Sequence, residues 1–285
     1  MGAKEPAAPA KPLVAVSILP QAYFVERIAG GIVEPLVIVG PGQSPHSYEP
    51  TPRQMAELSR AAAWFSLGVE FERALGPKLA SLYPSMRVVD TTVGVRFRTL
   101  EAHHHDGEDD EDHDEAEEHG EGDGGLDPHI WLGRDSVKAQ AAAIRDGLSA
   151  LYPEHAPAFS ANYNDFSKEL DELFDALKRE LAALRGTPAF VFHPAFGYFF
   201  DEFGIRQEAV ETGGKEPTQK ALAELIAKAK AEGAKVVFVQ AQFPSNAATA
   251  VAAAIGGQVV SIDPLARDWM DNLRRMAEAL RKASR

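Results

Sequence analysis

Short apolar runs rich in Val and Ile alternate along the chain with stretches whose apolar residues recur every three or four positions. That alternation is the signature of parallel α/β units. The first half predicts strands over residues 13–18, 35–40, 63–68 and 87–91, and helices over 21–29, 52–60, 71–82 and 134–151. The second half repeats the scheme, with strands over 189–193, 206–211, 235–240 and 258–262 and helices over 194–203, 218–231, 245–255 and 269–283. The strand runs are continuous rather than alternating, as expected for sheets covered on both faces. Thr51 before Pro52 reads as an N-cap followed by proline at the first helical position, and Gly233 follows a helix end.

Between the halves, Phe159, Tyr163, Phe166, Leu170, Leu173, Leu177 and Leu181 step by three or four, and Pro157 is the one internal proline of residues 153–185. One helix of about 28 residues fits there, about 42 Å long at ~1.5 Å per residue. The expected architecture is α/β, two lobes each built on a four-stranded, mostly parallel sheet flanked by helices. The lobes are placed at 12–152 and 187–285, with the connecting helix at 153–186. A helix in place of a loop hinge implies lobes held at a nearly fixed angle; a large closure between ligand-free and ligand-bound crystals would refute that.

Charge changes the picture at one place. The 285 residues carry 29 Lys+Arg against 42 Asp+Glu, a net charge of −13. Residues 101–123 hold 13 of the acids and no base, so the rest balances at 29 against 29. The same run holds five of the nine histidines: His103, His104, His105, His113 and His119. Nothing in it is more apolar than alanine, so residues 101–125 are expected to be a disordered loop. With no basic cluster, nucleic acid is not an expected partner. No run approaches ~20 apolar residues, so no membrane insertion is expected. The absence of cysteine excludes disulfides and thiolate metal sites. The opening Met-Gly-Ala-Lys-Glu-Pro-Ala-Ala-Pro-Ala-Lys reads as a join onto a Pro/Ala-rich mature terminus, so a secretory segment is expected to have been removed.

Outside that run the histidines are His46, His129, His155 and His193. A histidine by itself is most often a surface or satisfied core residue, and His155, in Pro153-Glu154-His155, is read so. The other three sit differently. His46 lies in a turn-rich loop just past a strand, His129 follows the acidic insertion, and His193 ends a strand; Asp263 ends the last strand in the same way. Adjoining prolines fix the local backbone. In doubly wound sheets ligands bind beyond the carboxyl ends of strands, so a cleft between the lobes could gather all four. Three imidazoles and a carboxylate suit zinc better than magnesium or calcium, which take mostly oxygen. Each signal alone is weak, because no short spacing fixes the geometry.

The blocks Pro45-His46-Ser47-Tyr48-Glu49-Pro50, Asp127-Pro128-His129-Ile130-Trp131-Leu132, Phe192-His193-Pro194-Ala195-Phe196 and Ser261-Ile262-Asp263-Pro264-Leu265 resemble, in order, the four metal-ligand blocks of zinc/manganese substrate-binding proteins of bacterial ABC importers. The resemblance covers residues 12–285. It implies a periplasmic, monomeric protein that captures a free Zn2+ ion through His46, His129, His193 and Asp263 and delivers it to a membrane permease. Manganese or iron members tend to carry a carboxylate where this chain has His193, and a His/Asp-rich insertion is typical of zinc members. One departure is Gln240, near which relatives often have glutamate.

Three other readings stand beside this one: a manganese or iron member of the same family, a surface adhesin with an incidental zinc site, and a zinc hydrolase using Glu49 or Glu211 as base. A closed four-ligand site holds metal, whereas a catalytic site keeps a position for water. The Asp263 carboxylate at about 2 Å from the metal would separate the two. The five insertion histidines are candidate secondary sites, weak and exchangeable, against the plainer reading of a solvated acidic loop.

Overall fold

The computed structural model describes residues 11–100, 125–210, 218–240, 242 and 246–283. The five insertion histidines and Glu211 lie outside the described residues. In the first half, β1 (Leu13–Val16), β2 (Glu34–Val37), β3 (Ala61–Ser66) and β4 (Arg87–Asp90) form a parallel sheet in the order β2-β1-β3-β4. In the second, β5 (Pro188–Val191), β6 (Arg206–Ala209), β7 (Val236–Val239) and β8 (Gln258–Ser261) repeat that order as β6-β5-β7-β8, again parallel. The helices are α1 (Leu19–Ala29), α2 (Pro52–Leu58), α3 (Glu70–Leu82), α4 (Arg134–Leu151), α5 (Ala156–Glu180), α6 (Gly197–Phe203), α7 (Gln219–Ala231), α8 (Asn246–Ala254) and α9 (Trp269–Ala283).

The element types follow the sequence pattern, while several edges move for identifiable reasons. The strand expected over 63–68 ends at Ser66, because the Leu67 and Gly68 N–H groups donate to the Glu72 carboxylate rather than to a neighbouring strand. The helix expected from Pro194 begins at Gly197, since Ala195 N–H turns back onto the His193 carbonyl and Phe196 N–H goes to Gln207. Thr51 caps α2 as the sequence implies, with Gln54 reciprocating in a capping box. The central helix is flanked by short 3-10 turns at Pro153–His155 and Ala182–Leu184, leaving 25 residues of α-helix, about 37 Å.

That helix is also the core. Phe159, Phe166, Leu170, Leu173, Phe174 and Leu177 of α5 are buried, and the helix packs on α1, α4 and α9. One apolar cluster runs from Val14 and Phe24 through Phe166 and Leu170 to Phe238 and Trp269. Phe24 of α1 meets Trp269 of α9 edge-on, ring centroids 5.1 Å apart. Each such buried side chain contributes about 1.5–3 kcal/mol, so a shared core joins the halves, not a tether alone. Beyond the second sheet, Phe190, Phe192, Val237 and Val239 pack with Val251 and Ala252 of α8 in a second cluster, while Val191 and Phe238 face the first. Residues on β5 and β7 thus alternate between two apolar environments. No helix among the described residues is long and apolar enough to cross a membrane.

Gly147 shows how tightly α4 lies on the first sheet: a Cβ there would sit 2.9 Å from Phe65 and 3.0 Å from Val89. Gly147→Val is expected to lower stability by about 2–3 kcal/mol through overpacking, read by urea denaturation.

Candidate metal centre

His46 and His193 from segments beyond β2 and β5, and His129 from the turn before α4, converge so that one nitrogen of each lies within 4.8 Å of the others. His129 Nε2 and His193 Nε2 are 3.1 Å apart. Two nitrogens on a tetrahedral zinc at 2.0–2.1 Å stand about 3.3 Å apart, so this pair already has the span of one edge. The ring of His46 completes the group, its centroid 4.6 Å from that of His193 and 5.6 Å from that of His129. His129 and His193 are buried and His46 is half-buried. The cavity they share with Trp131, Gln242 and Leu265 has a volume of about 10 Å3, room for an ion and too small for an organic substrate. A larger groove of about 630 Å3 passes Arg96, Asp135 and Asp201 but contains none of the three imidazoles.

Two of the rings are oriented by a carboxylate, and the third residue is held through its backbone. His46 Nδ1 lies 3.1 Å from the Glu70 carboxylate at the start of α3. Glu70 follows the loop that Glu72 grips through the Leu67 and Gly68 N–H groups. His129 Nδ1 lies 2.7 Å from Asp127 Oδ1, which also accepts the His129 backbone N–H. A carboxylate on Nδ1 holds the ring proton there and leaves the Nε2 lone pair for a metal. His193 is fixed through its backbone: the Gln240 amide donates to the His193 carbonyl at 2.8 Å and accepts its N–H at 3.4 Å. Gln240, the departure noted in the sequence, therefore serves as a two-way clip that glutamate, with no N–H donor, could not reproduce.

Asp127 is fully buried, and its second oxygen accepts Arg98 Nη1 at 2.9 Å. Burial alone would push its carboxyl up. The hydrogen bonds from His129 and Arg98 outweigh that and hold it below the usual carboxylate range. Burial likewise would lower Arg98, but Asp127 and Asp201 raise it above its ordinary value. Tyr198 donates to the Asp127 carbonyl at 3.0 Å, and burial pushes its phenol up to about 12, so it stays a neutral donor.

Asp263 lies beside the same cavity. Its Oδ1 accepts the Leu265 N–H and the Gln242 amide, both at 2.9 Å. The Pro264 carbonyl that follows accepts the Trp131 indole N–H at 2.8 Å, and Trp269 in turn donates to the Trp131 carbonyl. The structure thus gathers three imidazoles, while Asp263 stands outside that group with its carboxylate on the Leu265 N–H and the Gln242 amide. His155 is apart from them, half-exposed, with Glu154 at 3.8 Å.

Sequence reasoning did not single out Glu70, Asp127, Arg98 or Gln242. Asp127 stands in a quoted block, yet a carboxylate close before a histidine also occurs at Glu154-His155, where nothing is built. Glu70 is 24 residues from His46 and Arg98 is 29 from Asp127, so no local pattern announces either.

A ZnuA crystal structure superposes with a TM-score of 0.85 at 34% identity, covering 96% of this chain and 100% of that one. A ZnuA deletion mutant with zinc bound superposes at 0.84 with 34% identity, covering 96% of this chain and 98% of its own. The high-affinity zinc uptake system protein ZnuA of Yersinia pestis is 28% identical over 267 residues, 88% of this chain and 82% of that protein. Residues 14–283 match the family model described as "ZnuA: Zinc-uptake complex component A periplasmic", and the chain belongs to that family.

Proposed function

We propose that this protein captures Zn2+ between its lobes outside the cytoplasmic membrane and hands it, as a monomer, to the membrane permease of an ABC importer. The observation that carries the reading is the convergence of three imidazoles, two already at tetrahedral spacing. His46, His129 and His193 supply nitrogen, and Asp263 supplies the fourth ligand by exchanging Gln242 for the ion. Neutral imidazoles with one carboxylate leave the loaded site near +1 and favour zinc over the harder ions. The zinc-uptake role of the Yersinia pestis relative and the zinc held by the deletion mutant support this choice over manganese or iron. The small cavity supports a carrier rather than a hydrolase. A zinc-loaded crystal should place an Asp263 oxygen about 2 Å from the ion; a water in that position would instead favour catalysis. The direct test is metal analysis of protein purified without added metal, with equilibrium competition against a chelator of known affinity.

Protons compete for the same nitrogens. Each imidazole must be neutral to coordinate, so zinc binding should weaken between pH 7.5 and 5.5. Equal affinities at the two pH values would exclude a three-histidine site.

The insertion histidines, His103, His104, His105, His113 and His119, are proposed as weak collecting sites ahead of His129. Deleting residues 102–124 is expected to lower zinc stoichiometry while leaving the tight site's affinity intact. Unchanged stoichiometry and uptake kinetics would return the segment to a solvated acidic loop.

A further inference from the structure

We propose that Arg98 and Asp201 are positioning residues that tie zinc retention to the seating of the two halves, by holding Asp127 on His129 only while α6 is docked. The proposal rests on the zinc reading above. Arg98 uses its fork on two carboxylates from different halves: Nη1 on Asp127 Oδ2 and Nε on Asp201 Oδ2, each at 2.9 Å. Its backbone is held as well. The Arg98 carbonyl accepts the Asp127 N–H at 2.8 Å, and Thr99 and Leu126 bridge antiparallel beside them. From the other half, Tyr198 accepts the Arg98 N–H at 3.1 Å and donates to the Asp127 carbonyl. Gly197 opens α6 against the guanidinium, where a Cβ would stand 1.8 Å from Arg98 Nη1.

Residues 193–201 therefore carry both His193 and the partners of the Arg98–Asp127 pair. A displacement of α6 that draws His193 from His129 also removes Tyr198 and Asp201 from Arg98. Asp127 then loses the fixed cation that directs its other oxygen at His129 Nδ1. Two ligands from separate halves are loosened by one movement, although Asp201 touches neither ring and its side chain is 58% exposed. Arginine suits this role because its planar fork fixes two carboxylates at once, which a lysine ammonium does not reproduce.

The test uses the full chain with zinc, a chelator chase for dissociation, and Co2+ as a visible-absorption probe of ligand geometry. Arg98→Lys is expected to weaken zinc binding about tenfold, the low end for partners of metal-ligating histidines, and to alter the Co2+ spectrum. Asp201→Asn, at an exposed position, is expected to speed zinc release about threefold. The double variant should release zinc no faster than Arg98→Lys alone, since both substitutions break one chain of contacts. Dissociation rates and Co2+ spectra like those of the unmodified protein would overturn the proposal, whether or not the melting temperature falls. Additive effects in the double variant would overturn the coupling. Failure of the unmodified protein to bind zinc, or wild-type affinity in His193→Ala, would instead overturn the zinc reading and this proposal with it.

Discussion

His193→Ala is expected to weaken zinc binding by about 10²–10³-fold, measured by chelator competition at pH 7.5. Four-ligand zinc sites bind with about 10–16 kcal/mol, so one ligand in four accounts for roughly 2.5–4 kcal/mol, and each 1.4 kcal/mol is a factor of ten. His193 is placed to act at full value because its Nε2 already stands 3.1 Å from that of His129. The variant should remain folded, since the Gln240 side chain grips only backbone atoms of residue 193. His155→Ala, remote from the triad, is the control and should change nothing. If the two variants behave alike, the ligand assignment is wrong.

Asp127→Ala has the second large effect, and it acts on stability and affinity together. Its carboxylate is fully buried and accepts three donors: His129 Nδ1, the His129 backbone N–H and Arg98 Nη1. Removing one partner of a buried ion pair costs about 3–5 kcal/mol. Asp201 remains beside Arg98, so the lower end, about 3 kcal/mol, is expected in urea unfolding of the metal-free protein. Zinc affinity should fall a further 10–100-fold as His129 loses its orienting partner. Asp127→Asn keeps an acceptor for His129 and should be milder for zinc. A folded Asp127→Ala protein with unchanged affinity would show that the contact does not serve the site.

The two acid responses of the protein separate for the same reason. Asp127 is held below the ordinary carboxylate value near 3.8, so the stability it contributes is complete above about pH 4 and is lost as pH falls through its folded value. Zinc loss through protonation of the imidazoles is a separate response, read by metal release rather than by unfolding.

Much of the fold could be read from local pattern because α/β units are local objects. A Val/Ile run and the amphipathic helix after it predict one another within about 30 residues, and both halves repeat the unit with the same strand order. Edges escaped where a side chain from elsewhere took the backbone hydrogen bonds, as Glu72 does at Leu67 and Gly68. The histidines were legible because each sits beside a proline, His46 and His193 in segments that follow a strand and His129 between the acidic insertion and a helix. Their partners were not. Glu70, Arg98 and Asp201 reach the site by contacts spanning 24, 29 and 103 residues.

By itself, then, the amino-acid sequence determined the parallel α/β class, the long central helix and which histidines stand out as candidate ligands, because hydrophobic period and donor type are properties of short segments. Only the tertiary structure decided which ring nitrogen of His46 and His129 faces a carboxylate, Nδ1 in both, and so which one is left facing the other imidazoles. It alone decided that Gln240 grips the His193 backbone, and that the Asp263 carboxylate is held by Leu265 and Gln242 outside the histidine group. Orientation in a metal site is set by groups brought together across the fold, and distance along a chain carries no record of that.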